Sequence, residues 1–120
     1  MKLLTTRWAA RTALVALAAM ASGCGDGGSD ATGATCPSGS TLTYDTFGRQ
    51  FFQTHCTSCH GAGGRSPNFS TVEGIRANRT MVDANAAAGP NGVNTTMPQG
   101  GTVAEAERLR LGEWLACGAP

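Results

Sequence analysis

Beyond Lys2 the chain contains no lysine. Past the first eleven residues its basic side chains are six arginines, set against eight carboxylates, so that part of the chain carries a formal charge of −2. Without a basic stripe to neutralise phosphates, nucleic acid is not an expected partner. Long apolar runs are also missing. The longest, Ala13–Ala21, has nine residues, well short of the roughly 20 that a helix needs to cross a bilayer. Histidine occurs twice and the aromatics number only seven. Internal repeats are absent, and no segment alternates strongly enough to predict a strand.

What the first residues do contain is ordered. Lys2, Arg7 and Arg11 precede the apolar run, and small residues follow it. That succession of charge, apolar core and small residues is the pattern of a secretory signal. Two processing sites compete. Ala19-Met20-Ala21 satisfies the small-x-small rule and predicts a chain starting at Ser22. Ala21-Ser22-Gly23-Cys24 resembles a bacterial lipobox, in which Cys24 is lipidated and becomes the first residue; here Ala21 stands where leucine is common. After Cys24 come glycine, serine, threonine, alanine and aspartate without a large apolar group, the composition of a flexible tether. The resulting division is a lipoprotein-type signal at 1–23, a tether at 24–35 and one folded domain at 36–120. A domain of that size buries only about 60% of its unfolded surface, so disulfides, a metal or a large apolar cofactor are expected to help it.

The chemistry concentrates in Phe51–Gly64, FFQTHCTSCHGAGG. Cys56-Thr57-Ser58-Cys59-His60 is the C-x-x-C-H pattern of covalent c-type haem attachment. Two thiols add across the two vinyl groups of a haem, and the two intervening residues let one loop reach both. The residue that follows then lies beneath the iron, where the His60 imidazole is a proximal ligand. A zinc site is a competing explanation, but it needs two further ligands at close spacing, and His55, Cys36 and Cys117 do not supply that spacing. A thiol–disulfide site of the thioredoxin kind expects a βαβ context, which is not evident.

A second axial ligand is sought downstream. Met97 precedes Pro98 in NTTMPQGG, a polar, non-helical segment. Histidine opposite methionine is the cytochrome c arrangement, which raises the reduction potential. Met81 competes, but Val72, Ile75, Val82 and Ala86 give residues 71–88 a helical spacing that assigns Met81 to packing. Asp45 or Thr46 is placed to cap a helix running into Cys56, with Gly48, Phe52 and Cys56 on one face. Thr102 and Glu105 suggest a capping box. The helix after it places Leu111, Trp114 and Leu115 on one side and Glu105, Glu107, Arg108 and Arg110 largely on the other, and ends at Gly118 and Pro120.

These pieces resemble a class I cytochrome c over residues 42–116: Gly48-x-x-x-Phe52-x-x-x-Cys56-x-x-Cys59-His60, then Pro67-x-Phe69, Met97-Pro98, and Leu111, Trp114 and Leu115. The resemblance implies an all-α fold, a few helices wrapped around one covalently bound haem c with the first and last helices crossing at Gly48. It implies that the Pro67 carbonyl accepts a hydrogen bond from the His60 ring nitrogen that does not bind iron, a contact that orients the ligand. Cys36 and Cys117 lie just outside the two terminal helices that the family packs together, which implies a disulfide between them. The lysine rim common in the family is absent here.

An iron ligated by both His60 and Met97 has no position for a substrate. The expected function is therefore one-electron transfer to redox partner proteins, not catalysis on a small molecule. The alternative is a haem enzyme or gas-sensing domain in which Met97 is a labile ligand; its distal base is hard to find, since His55 adjoins the attachment motif. Arg76 and Arg79 are read as a solvated helix face before haem propionate partners. With Cys56 and Cys59 on haem and Cys36 with Cys117, Cys24 is left over, and an unpaired thiol in an exported protein calls for a role. Lipidation supplies one. It places the domain on the periplasmic side of a bacterial membrane, on a tether whose eleven residues span about 17–20 Å root-mean-square; the alternative is a soluble periplasmic protein. Mass spectrometry of the mature N-terminus from the native host is expected to find a lipid-modified Cys24. A chain starting at Ser22 with an unmodified Cys24 would contradict that.

Overall fold

In the computed structural model, residues 31–120 are described. The signal segment 1–23, Cys24 and tether residues 25–30 lie outside the described residues. The fold begins with a π-helical turn at Tyr44–Gly48 that passes directly into helix α1, Arg49–His55. A short α2 follows at Thr57–His60, then α3 at Val72–Ala77, α4 at Arg79–Ala86 and the long α5 at Glu105–Ala116. Between α4 and α5, β1 (Ala88–Gly89) pairs antiparallel with β2 (Gly92–Val93), with Ala88 opposite Val93. Helices carry the fold, but this ladder means the all-α expectation is incomplete. Pro90-Asn91 between the strands, followed by Gly92, is turn chemistry, and two-residue strands are too short to show alternation in a sequence.

The N-terminal cap differs from expectation in one residue. Thr43, not Asp45 or Thr46, is the cap: its hydroxyl accepts from the Thr46 amide at 3.1 Å while the Thr46 hydroxyl accepts from the Thr43 amide at 2.9 Å. This reciprocal pair satisfies two amides that the helix start leaves unbonded. Asp45 is instead ion-paired with Arg49 one turn on. The Thr102–Glu105 capping box does not form, because α5 starts at Glu105 with Ala104 as a cap that lends no side-chain bond. Glu105 and Glu107 lie in its first turn, where carboxylates favour the positive end of the helix dipole.

The helix expected over 71–88 is divided at Asn78, whose side chain turns back to donate to the Gly74 carbonyl at 2.8 Å. Phe52, Ile75, Leu111 and Trp114 are fully buried, with Phe47, Phe51, Phe69, Val82 and Leu115 nearly so. Trp114 is the hub. Its ring meets Phe47 edge-on at 6.2 Å and Phe52 at 6.1 Å, and a Cβ at Gly48 would come within 2.6 Å of it. That approach explains a glycine in the first helical segment.

Two residues read as solvent-facing are inside. Arg108, placed on the polar side of α5, is 3% exposed. Thr32, within the segment read as tether, is 1% exposed; its amide and hydroxyl bond the Asp83 carboxylate at 2.8 and 2.7 Å, and its carbonyl accepts from the Asn91 amide at 2.9 Å. Residues 31–34 therefore belong to the packed domain, which starts earlier than Cys36. Hydrogen bonding of one threonine to a distant aspartate, not burial of apolar surface, does this.

Cys36 and Cys117 form a disulfide, with Cα atoms 4.7 Å apart and a sequence separation of 81 residues. Closing a loop of that length contributes about 4 kcal/mol by restricting the unfolded chain. The double variant Cys36→Ser, Cys117→Ser is expected to lose about that much unfolding free energy in urea denaturation. A loss below about 1 kcal/mol would show that the bridge does not constrain the unfolded ensemble.

Candidate haem site

The attachment motif sits where the first helix breaks. Cys56 ends α1 with φ −124° and ψ −44°, and its carbonyl accepts from the Cys59 amide at 3.2 Å and the His60 amide at 2.8 Å. These bonds wind residues 57–60 into the single helical turn α2. The chain then turns back sharply: the Arg65 amide bonds the Cys59 carbonyl at 2.8 Å. A Cβ at Gly64 would lie 2.4 Å from that carbonyl, so the glycine-rich sequence after His60 is what lets the loop close.

The next bonds fix the imidazole. The Phe69 amide donates to the His60 carbonyl at 2.7 Å, and the His60 Nδ1 lies 3.1 Å from the Pro67 carbonyl. A carbonyl only accepts, so Nδ1 carries the proton and Nε2 is the nitrogen left for a metal. Phe69 also packs its ring 5.2 Å from the imidazole and 5.3 Å from Phe52. The histidine is therefore braced by a hydrogen bond on its edge and by an aromatic ring beside it.

Cys56, Cys59, His60, Pro67 and Met97 line one cavity of about 500 Å3. Its walls include Phe51, Phe52, Phe69, Val82 and Ala86. That volume is ordinary for a cofactor site, as is a mainly apolar wall with a few polar groups. Both thiols, the histidine and a thioether opening onto one apolar cavity fit a covalently attached haem. Cys56 is half-buried and Cys59 exposed, and they are not bonded to each other. Burial pushes the Cys56 thiol up to about 12. A thiol–disulfide catalyst needs the opposite shift, since the thiolate is the nucleophile. Among the described residues no group of three or more His, Cys, Asp or Glu side chains is placed to hold a metal.

Residues 45–115 match the family described as cytochrome c oxidase, cbb3-type, subunit III. The chain belongs to this family. No curated protein and no solved structure matches it. The cytochrome domain so identified runs from the first helical turn to the end of the Trp114 face of α5 and contains every residue of the cavity. A domain of this kind binds haem and serves electron transfer.

Within the cytochrome domain Met81 departs from the sequence reading, whereas Arg76 and Arg79 keep to it as exposed residues of a helix face. Met81 does not pack in the core; it is 42% exposed and lines the cavity. Ile75, Val82 and Ala86 keep the buried face across Asn78, and Met81, one residue before Val82, lies off it. Arg76 and Arg79 do not line the cavity: Arg76 donates from Nε to the Ala119 carbonyl at 2.8 Å, and Arg79 borders a smaller cleft with Asp83 and Leu115. The arginine on the cavity is Arg65, five residues beyond His60, which the sequence gave no reason to single out. Among the described residues no helix is long and apolar enough to cross a membrane.

Proposed function

We propose that this protein is a one-electron carrier, with a single haem c joined by thioethers to Cys56 and Cys59 and ligated by His60 and Met97. The observation that carries the reading is that all four side chains open onto one apolar cavity. When bound there, haem supplies an Fe(II)/Fe(III) couple. The chain supplies the conditions for it. Pro67 holds the His60 ring in one tautomer and one orientation, and a hydrogen-bonded imidazole is the more basic ligand. Phe51, Phe52 and Phe69 line the cavity and are nearly excluded from solvent, so they keep water from the site and limit rearrangement during transfer.

Met97 is favoured over Met81 by its setting. It is half-buried against the core cluster, and its amide donates to the Asn85 carbonyl at 2.9 Å. Met81 is the more exposed of the two, on a helix whose position it does not help to fix. With both axial positions taken, no site is left for substrate, and exchange of electrons with partner proteins at the exposed side of the cavity is the remaining activity. The cavity lining has no lysine, and the cation there is Arg65, so the lysine rim common in the family does not guide docking here. The proposed location is the periplasmic side of a bacterial membrane, with Cys24 as the lipid anchor.

Met97→Ala tests the ligand set. Haem is expected to stay covalently bound, the reduction potential to fall because a thioether ligand raises it, and the ferrous form to bind carbon monoxide at least about tenfold more tightly than the parent, a change of about 1.4 kcal/mol. Carbon monoxide affinity unchanged in Met97→Ala but raised in Met81→Ala would transfer the role to Met81.

A further inference from the structure

Arg108 lies one helical turn before Leu111 and two before Leu115, so it faces inward from α5 with them. It is 3% exposed, and no ion pair among the described residues includes it. A guanidinium buried without a carboxylate costs several kcal/mol in lost hydration, so its retention needs compensation from its surroundings. Three backbone carbonyls provide it. Nη1 donates to Ala86 at 2.7 Å, to Asn94 at 2.8 Å and to Met97 at 2.9 Å. Ala86 is the last residue of α4, where the helix dipole presents its negative end. Burial pushes the guanidinium down from its usual value, but arginine retains its proton in folded proteins.

The three acceptors belong to three pieces of chain that sequence alone does not join: the end of α4, the residue after β2, and the loop that carries Met97. We propose that Arg108 is the positioning residue of that loop, holding Met97 where its sulfur ligates the iron. The inference rests on the Met97 reading above. The Met97 backbone is held from both sides, its amide by Asn85 on α4 and its carbonyl by Arg108 on α5. Two other bonds of the loop, Asn94 amide to Ala87 carbonyl at 2.8 Å and Asn94 Nδ2 to Asp83 carbonyl at 2.9 Å, anchor its start. Arg108 is the contact from the last helix that reaches the ligand residue itself. A hydrogen bond to a charged group contributes about 1.5–3 kcal/mol, so its loss weakens methionine ligation by about 10- to 100-fold.

The test uses the haem-loaded full chain and cyanide affinity of the ferric form, because cyanide competes with the methionine for iron and gains affinity in proportion to the fraction of open sites. Arg108→Gln is expected to bind cyanide at least about tenfold more tightly than the parent, and Arg108→Lys, which keeps the charge and part of the donor set, less than Arg108→Gln. Parent-like cyanide affinity in Arg108→Gln overturns the proposal even if its melting temperature falls, since a strut alone would lower stability without opening the iron. If Arg108→Gln fails to load haem, Arg108→Lys decides: affinity raised severalfold supports the proposal and parent-like affinity overturns it. Met97→Ala separates the two inferences. If it binds cyanide no better than the parent, the Met97 reading fails and this one with it. If it opens the iron while the Arg108 variants do not, only the role of Arg108 fails.

Discussion

A cavity of about 500 Å3 in so small a domain takes the position from which a core is ordinarily built. With four phenylalanines, two tryptophans and one tyrosine in the whole chain, one of the tryptophans being Trp8 outside the described residues, there is little apolar material to frame it. The structure responds by concentrating what it has. Phe47 and Phe52 from the first helical segments meet Trp114 from the last, with Phe51 packed against both phenylalanines, and Phe69 connects that cluster to His60. One continuous aromatic group thus packs the two terminal helices and braces the His60 imidazole. The disulfide closes the same unit from outside the helix ends.

The outlying segments of the domain are held by hydrogen bonds of polar side chains more than by apolar contact. Thr32 holds the N-terminal strand of chain to Asp83, Arg76 holds the C-terminal end through Ala119, and Arg108 gathers the end of α4 and the Met97 loop. In each case a side chain reaches a group far along the chain. This fits a domain too small to fix its loops by burial, where one charge-assisted bond is worth about as much as burying a small apolar side chain.

That division explains what the sequence disclosed. The C-x-x-C-H motif is a local spacing, so Cys56, Cys59 and His60 can be singled out as candidates without any fold. The Leu111, Trp114 and Leu115 face follows from helical period, and the Gly48–Trp114 approach from the absence of a side chain. Arg108 was legible too: positions 108, 111 and 115 share a face, but its charge placed it with the solvent side. A helical period outweighs a charge when backbone carbonyls are at hand to receive it. Thr32 and Arg65 were not legible, because their significance lies in which distant groups meet them. Met81 was misplaced because it stands one residue before Val82, off the face that Ile75, Val82 and Ala86 bury.

The central claim is that Cys56 and Cys59 hold haem covalently. Intact-mass measurement of the chain purified from its native host, under denaturing conditions, tests it most directly. The account predicts a mass increased by one haem, the increment mapping to the peptide that contains Cys56 and Cys59. A chain of unmodified mass in which both cysteines react with a thiol reagent would contradict it.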